Sequence, residues 1–420
     1  MSGTSGYDAS AAYVARRTRA AGYRVRLQEF TFPFVSERSP PVLRVVGAAS
    51  ERFRARRDVM TLGYSGSGLV EAQVAAVDLV VPSPRPNAST SGCEASDFAS
   101  FPRGAVALLQ RGTCFFRVKL ANAVAAGASA VVMFNEGGPG RRDVFTATLG
   151  APQASVPALA ASFEVGNELR NGVRSGPTGV TVRLETDVVA ERRRTRNVIA
   201  ETPAGDADRL VVIGAHLDSV QVGAGMNDNG SGSAVILEVA EQLRGLRPSN
   251  RVRFVWWAAE ELGLLGSRRY VGRLSPAARN AHALYINLDM VGSPNFGRFV
   301  YDGDASNVHP ASAAIERVFA RYFDSRGLAY RGTSLGGNSD HGPFAQAGIP
   351  VGGLFTGADG VKSTAEASVF GGSAGRPYDP CYHRACDNEA NVSGVALKQM
   401  AGAAAHAIRH FARDLSGVRR

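Results

Sequence analysis

Apolar positions along the chain form two kinds of pattern, and the first gives way to the second near residue 190. From residue 196 onward, long apolar runs read as buried strands, in the order LVVIGA, RVRFVWWAA and LYINLDM. Between the first two runs, residues 231–246 predict a helix. Apolar strands that alternate with helices predict an α/β fold, with a mostly parallel sheet covered by helices on both faces.

The first half of the chain predicts shorter elements. Residues 8–22 predict an amphipathic helix, and residues 25–34 alternate as a strand. Short β-rich runs follow, with one βαβ unit formed by GAVALLQRG, VKLANAVAAG and ASAVVMFNE. We therefore expect a smaller β-rich domain at 53–189, inserted into a larger α/β domain formed by 1–52 and 190–420.

Composition is that of a globular protein with more than one domain. The chain has 420 residues, of which 45% are hydrophobic and 20% charged. It has no run of 18 or more apolar residues, so we expect no membrane span. The first residues, MSGTSGYDAS, lack a basic segment followed by an apolar one, so we expect no signal peptide within this chain.

The net charge of +10 comes almost entirely from arginine. The arginines are spread along the chain and mixed with acidic residues, and the densest run, at 192–196, reads as a solvated linker. No recognisable nucleic-acid-binding module accompanies them, so we expect no nucleic-acid partner.

The four cysteines form two local pairs. Cys93 and Cys114 are 21 residues apart, and Cys381 and Cys386 are 5 apart. An even number in local pairs is typical of disulfides formed in an oxidising compartment. A metal site at the second pair is less favoured, because no further cysteine pair lies nearby to complete it.

Polar side chains of metal-binding type follow each predicted strand of the larger domain. His216 and Asp218 follow the first strand, Glu260 and Glu261 the second, and Asp289 the third. Ligands of open α/β sheets bind beyond the carboxyl ends of the strands. We therefore expect these side chains to meet at one edge of the sheet.

Each of these groups has a plausible task at a zinc site, because zinc takes imidazole nitrogen and carboxylate oxygen. Asp218 can accept the second ring N–H of the ligand His216. Asp228, just before the helix at 231, can bridge two ions. Of the adjacent Glu260 and Glu261, one can bind metal while the other moves a proton.

The remaining ligand has two candidates, His341 in NSDHGPF and His383 in DPCYHRACD. Composition alone does not choose between them. His383 lies in a loop that a disulfide would tighten, and it follows Tyr382. A rigid loop that presents both suits a metal ligand together with a hydroxyl donor to a developing oxyanion.

Six segments of the larger domain resemble, in order, the motifs of the M28 family of zinc peptidases. They are GAHLDSV, GMNDNGSG, WWAAEELGLLGS, INLDMVGS, SDHGPF and YHRACDN. The likeness is greatest to secreted bacterial aminopeptidases with a CYHxxCD loop. One departure is Asn338, where such relatives often have arginine.

This resemblance implies a site with two zinc ions. Its ligands are His216 and Asp289 on one ion, Glu261 and His383 on the other, and Asp228 between them. The resemblance also implies that Glu260 is the general base and that Tyr382 donates to the oxyanion. It favours His383 over His341, which is expected near the site without binding metal.

The inserted segment resembles a protease-associated (PA) domain. The likeness rests on GCEASDF, on the spaced Cys93 and Cys114, and on the segment GAVALLQRGTCFFRVKLANAVAAGASAVVMFNE. In the family such domains sit beside the active site and are not catalytic.

We therefore expect a secreted aminopeptidase that acts on the N-termini of peptides or proteins. The alternatives are a carboxypeptidase, a glutaminyl cyclase with one zinc, and a binding protein built on an inactive peptidase fold. The PA insert and the CYHxxCD loop favour a peptidase over a cyclase. The complete ligand set disfavours a binding protein, and the motifs show no cationic pocket of the kind a carboxypeptidase needs.

Overall fold

The computed structural model describes residues 1–47, 53–85, 87–138, 140–150, 155–245, 247–305 and 308–418. The chain forms two compact units. Met1–Phe32 and Arg194–Arg420 make the large unit, and Pro33–Arg193 makes the inserted unit. The sequence pattern places the first boundary later, at 53, next to residues 48–52, which lie outside the described part.

Ten α-helices occur in the described part of the chain. They are α1 (Ser5–Ala20), α2 (Phe116–Ala125), α3 (Phe163–Leu169), α4 (Gly232–Gln242), α5 (Leu265–Val271), α6 (Pro276–Ala281), α7 (Ser312–Ser325), α8 (His341–Gln346), α9 (Thr364–Phe370) and α10 (Gly394–Phe411). The helix predicted for 231–246 corresponds to α4, and its predicted end, Leu246, lies outside the described residues. A short irregular turn, Met226–Ser231, leads into α4.

Thirteen strands occur in the same residues. They are β1 (Arg24–Val45), β2 (Val59–Thr61), β3 (Gly68–Ala76), β4 (Val106–Gln110), β5 (Ala130–Phe134), β6 (Ala158–Ala161), β7 (Gly176–Glu201), β8 (Asp206–His216), β9 (Asn250–Trp257), β10 (His282–Leu288), β11 (Phe299–Tyr301), β12 (Arg331–Thr333) and β13 (Val351–Phe355).

The sheet of the large unit has the order β12-β11-β13-β10-β8-β9-β7, with β7 contributing its last residues. Its central strands β13, β10, β8 and β9 are parallel, whereas β11 and β7 join them antiparallel. Helices α4, α7 and α10 pack together, as do α5 and α8. The predicted α/β class, with a mostly parallel but mixed sheet flanked by helices, is confirmed.

The inserted unit has a smaller sheet in the order β7-β3-β4-β5-β6-β2, with β7 contributing its earlier residues. Strands β3 to β6 are parallel, and the predicted βαβ unit corresponds to β4, α2 and β5. Apolar side chains fill both faces of this sheet. The unit also contains the disulfide Cys93–Cys114.

An aromatic cluster fills the core of the large unit under β8. Tyr285 stacks on Phe344 with ring centroids 4.0 Å apart, and the indole N–H of Trp257 donates to the Tyr285 hydroxyl at 2.8 Å. Gly214 lies directly against this pair. A Cβ at position 214 would come within 2.3 Å of both Trp257 Nε1 and Tyr285 Oη. The core therefore closes only because position 214 has no side chain.

We predict that Gly214→Ala lowers the free energy of unfolding of the large unit by about 1 to 3 kcal/mol, because the added methyl displaces a packed, hydrogen-bonded pair. Thermal and urea unfolding measure the change. Gly394→Ala, at the first residue of α10, is the control, because a Cβ there meets nothing within 4 Å. It is expected to be neutral or stabilising by up to about 1 kcal/mol. Equal losses in the two variants would contradict this account of the core.

Candidate metal centre

Three neighbouring strands bring the predicted metal-binding side chains to one edge of the sheet. His216 is the last residue of β8, Asp289 directly follows β10, and Glu260 and Glu261 follow β9 by a few residues. Because β10, β8 and β9 are adjacent and parallel, their carboxyl ends meet at this edge.

The turn before α4 adds Asp228, whose backbone is fixed by one buried carboxylate. The N–H groups of Asn227 and Asp228 donate to Asp387 Oδ1 and Oδ2 at 2.9 and 3.1 Å. The Asn391 side chain donates to the same carboxylate. Asp387 thus holds the turn in place. Sequence reasoning gave it no role, although it lies in the YHRACDN segment.

One group of ligand atoms surrounds the end of β8. His216 Nε2 lies 3.2 Å from Asp228 Oδ1 and 3.3 Å from Asp289 Oδ1. Ligand atoms that share a tetrahedral zinc lie roughly 3.3 Å apart, because each is about 2.0–2.1 Å from the ion. The two distances from His216 therefore match those expected around one zinc ion, and all three ligand atoms lie within 4.8 Å of one another.

A second group uses the other oxygen of Asp228. His383 Nε2 lies 3.0 Å from Asp228 Oδ2 and 3.2 Å from Glu261 Oε2. The remaining Glu261 oxygen, Oε1, is buried without a hydrogen-bond partner. A buried, unpaired carboxylate oxygen is costly unless a cation lies beside it. These observations fit a second ion, with Asp228 between the two groups.

The pKa values of the two histidines reflect the number of carboxylates that lie close to them. Burial lowers the pKa of His383, but hydrogen bonds to Asp228 and Glu261 outweigh burial and raise it to about 10. Burial also opposes protonation of His216, yet the carboxylates of Asp289 and Glu260 raise its pKa well above the usual value. The centre thus strongly favours positive charge, whether protons or metal ions supply it.

Asp218 contacts His216 differently from the prediction. The carbonyl oxygen of Asp218, at 2.9 Å, faces His216 Nδ1, whereas its carboxylate Oδ1 is 4.0 Å away. That carboxylate oxygen instead accepts the backbone N–H of Glu260 at 3.1 Å. The backbone carbonyl of Asp218 fixes the imidazole of His216, because the two residues are only two positions apart. The side chain of Asp218 instead holds the backbone of the loop at Glu260.

Glu260 faces the cavity and belongs to neither group of ligand atoms. Burial, together with the nearby carboxylates of Asp340 and Asp289, raises its pKa well above the ordinary value, although His216 opposes the shift. A raised pKa suits a carboxylate that takes up and releases a proton. Glu261, one residue on, points at His383 instead. The adjacent glutamates therefore have separate surroundings.

The loop of Tyr382 and His383 is closed by the disulfide Cys381–Cys386. His383 has a left-handed backbone with φ of 55°, and its ring stacks on Tyr382 with centroids 3.8 Å apart. Both side chains line the cavity. The disulfide, the backbone turn and the ring stacking together orient the histidine.

His341 lies close by but apart from both ligand groups. It is fully buried, its Nε2 accepts the N–H of Gly337 at 3.3 Å, and its ring packs on Tyr301. Burial lowers its pKa to about 4. The neighbouring Ser339 contributes more directly, because its hydroxyl donates to Asp289 Oδ2 at 2.6 Å. Sequence reasoning missed Ser339, although it is the first residue of the quoted SDHGPF segment.

A cavity of about 510 Å³ opens over the two ligand groups. Its apolar lining residues include Met290, Tyr301 and Phe355. Glu260, Leu264 and Arg268 also line it, and they belong to the segment that runs from the end of β9 into α5. The cavity therefore has room for a small peptide segment directly beside the candidate metal ligands.

Two families match the chain by sequence: Peptidase family M28 over residues 197–408 and the PA domain over 74–169. An aminopeptidase of Pseudomonas aeruginosa (strain UCBPP-PA14) is 44% identical over 402 residues, which cover 94% of this chain and 74% of that protein. Leucine aminopeptidase 2 of Trichophyton rubrum is 42% identical over 335 residues, 79% of this chain and 66% of that protein.

Two solved structures are similar over almost the whole chain. An aminopeptidase from Aneurinibacillus sp. strain AM-1 matches with a TM-score of 0.74 and 26% identity, covering 98% of this chain and 90% of that one. A zinc aminopeptidase from Bacillus subtilis matches with a TM-score of 0.69 and 25% identity over the same shares. The chain therefore belongs to peptidase family M28, a family of peptide-bond hydrolases, and carries a PA domain.

We predict that replacing Cys381 and Cys386 by serine harms activity more than stability. A loop of 5 residues contributes only about 2 kcal/mol to stability, but it orients His383. Peptide mapping without reductant checks the pairing, and zinc content and kcat check the effect.

The matched control replaces Cys93 and Cys114, which close a longer loop in the inserted unit. We expect it to cost about 3 kcal/mol of that unit's stability and to leave zinc content and kcat on a small substrate unchanged. If both double variants lost activity equally, the special role of the short loop would be refuted.

Proposed function

We propose that this enzyme is an aminopeptidase that binds two zinc ions and cleaves the N-terminal peptide bond of its substrates. The observation that carries the proposal is the position of Asp228, whose two oxygens face separate ligand groups 3.0 to 3.2 Å away. The named relatives, which are aminopeptidases and in one case a zinc aminopeptidase, support the activity and the metal.

In this proposal, one ion is held by His216, Asp228 and Asp289, and the other by Asp228, Glu261 and His383. The zinc ions, when bound, act as Lewis acids and lower the pKa of a coordinated water. Five protein ligands are more than a single tetrahedral ion with an open position needs. The count of ligands therefore supports two ions.

Glu260 and Tyr382 are the proposed catalytic residues. Glu260 accepts a proton from the attacking water and returns it to the departing nitrogen as the peptide bond breaks. The Tyr382 hydroxyl donates a hydrogen bond to the carbonyl oxygen, which becomes negatively charged in the transition state. Their presence on the cavity wall, beside both ligand groups, supports these roles.

The cavity suits a substrate with a free amino end. An α-ammonium group is a cation, and the acidic side chains that line the cavity include Glu260 and Asp289. The cavity lining also includes Met290, Tyr301 and Phe355, which offer contact to an apolar first side chain. A blocked amino group would lose the charge interaction.

We also propose that residues 53–189 act as a PA domain outside the chemistry. All of the ligand atoms in both groups belong to the large unit, which supports this division. The protein is further proposed to be secreted, and its two disulfides are compatible with an oxidising compartment. In the described residues, no helix is both long and apolar enough to cross a membrane.

We predict hydrolysis of aminoacyl anilides with a free amino group, fastest for apolar residues such as leucine. Chelation of the metals is expected to abolish the activity, and zinc is expected to restore it. The same anilides with an acetylated amino group are the control. Equal cleavage of free and acetylated substrates, or full activity after complete removal of metal, would contradict the proposal.

We predict that Glu260→Gln retains both zinc ions but lowers kcat by roughly 10² to 10⁴, because an amide cannot carry the proton. KM is expected to change little, because the proton transfer occurs only in the transition state. Glu261→Gln, the neighbouring control, is expected to weaken one zinc site. Zinc stoichiometry and kcat for both variants test the assignment, and loss of zinc from Glu260→Gln alone would require the roles to be exchanged.

A further inference from the structure

Arg268 is a positively charged side chain on the wall of the candidate active site. It lies on α5, whose N-cap residue is Leu264, and both residues line the cavity. Arg268 is exposed. Within the described residues, its guanidinium takes part in no ion pair or side-chain hydrogen bond. The motifs had predicted no cationic group of this kind.

The charge balance of the occupied site singles out this arginine. Asp228, Glu260, Glu261 and Asp289 carry four negative charges on the cavity wall, and two zinc ions would supply four positive charges. The two histidine ligands are neutral when they bind metal. Arg268 is then the one uncompensated charge among the lining residues, so an anionic group is favoured directly beside it.

The position of Glu260 indicates which part of the substrate Arg268 meets. A group that returns a proton to the departing nitrogen lies on the side of the leaving fragment. One continuous segment connects Glu260 to Arg268, because the N–H of Leu264 donates to the Glu260 carbonyl and the N–H of Arg268 donates to the Leu264 carbonyl. Gly263 and Leu264, which lie between them, also line the cavity. The leaving fragment then lies on the side of the segment that carries Arg268.

We propose that Arg268 binds a carboxylate of the leaving fragment and so directs the enzyme toward short or acidic peptides. A guanidinium matches a carboxylate with two parallel hydrogen bonds. The carboxylate is either the C-terminal group of a dipeptide or tripeptide or the side chain of an acidic second residue. This inference rests on the proposed aminopeptidase function and defines its preferred substrates.

The neighbouring Arg269 provides a matched control. It lies on the same short helix and carries the same charge, but it does not line the cavity. A general attraction of anions by the helix or by the net charge of the chain would involve both arginines. Recognition at the cavity wall requires Arg268 alone.

The experiment compares kcat/KM for Leu-Gly, its uncharged amide Leu-Gly-NH2, and Leu-Asp-NH2. The zinc-loaded enzyme is tested as wild type, Arg268→Gln and Arg269→Gln. We expect the wild type to prefer at least one of the two carboxylate-bearing peptides over Leu-Gly-NH2 by about two- to fivefold, the range expected for an exposed ion pair. Preference for Leu-Gly identifies the terminal carboxylate, and preference for Leu-Asp-NH2 identifies the acidic side chain.

Arg268→Gln is expected to abolish the preference while leaving kcat/KM for Leu-Gly-NH2 unchanged, and Arg269→Gln is expected to keep it. Arg268→Glu is expected to disfavour the same peptides. Absence of a preference in the wild type, or its survival in Arg268→Gln, would overturn the proposal. If the enzyme cleaved none of the three peptides and did not cleave leucyl anilide either, the result would instead refute the aminopeptidase function on which the inference rests.

Discussion

The Asp228 carboxylate is shared between two imidazoles, and the arrangement of the centre depends on that contact. Its oxygens lie 3.2 Å from His216 Nε2 and 3.0 Å from His383 Nε2, and the residue is only 6% exposed. An ionised carboxylate in such a buried position is stable only when positive charge surrounds it. Two zinc ions satisfy this requirement and leave the imidazoles neutral, whereas protonated histidines satisfy it without binding metal.

The fold holds Asp228 between partners that are distant in sequence. The parallel strands β8, β9 and β10 bring His216, Glu261 and Asp289 together, because their carboxyl ends lie at one edge of the sheet. The fourth partner, His383, comes from a loop far along the chain that a disulfide closes. Asp387, a few residues beyond His383, bonds the backbone of the Asp228 turn. The loop of one ligand thus also fixes the other.

Simple rules on the sequence predicted much of this arrangement. The alternation of apolar strands and helices predicted the sheet, and the rule for strand ends brought His216, Glu260 and Asp289 to one edge. The choice of His383 rested on the family resemblance, because composition alone left His341 open as an alternative. The position of a loop depends on long-range packing, which local patterns do not encode.

Contacts that depend on tertiary placement were beyond sequence reasoning. The Asp218 carbonyl, rather than its carboxylate, meets His216, because the backbone at the end of β8 determines which oxygen points inward. Ser339 and Asp387 lie in quoted motifs, but the motifs do not indicate what these residues contact. Their partners, Asp289 and the backbone of Asp228, lie many residues away, so only the folded chain identifies them.

The central claim, that Asp228 bridges two zinc ions, is tested most directly by crystals of the zinc-loaded protein measured on both sides of the zinc absorption edge. The account predicts two anomalous peaks, one among His216, Asp228 and Asp289 and the other among Asp228, Glu261 and His383, each bonded to a different Asp228 oxygen. A single peak at saturating zinc, or two peaks of which only one contacts Asp228, would contradict it.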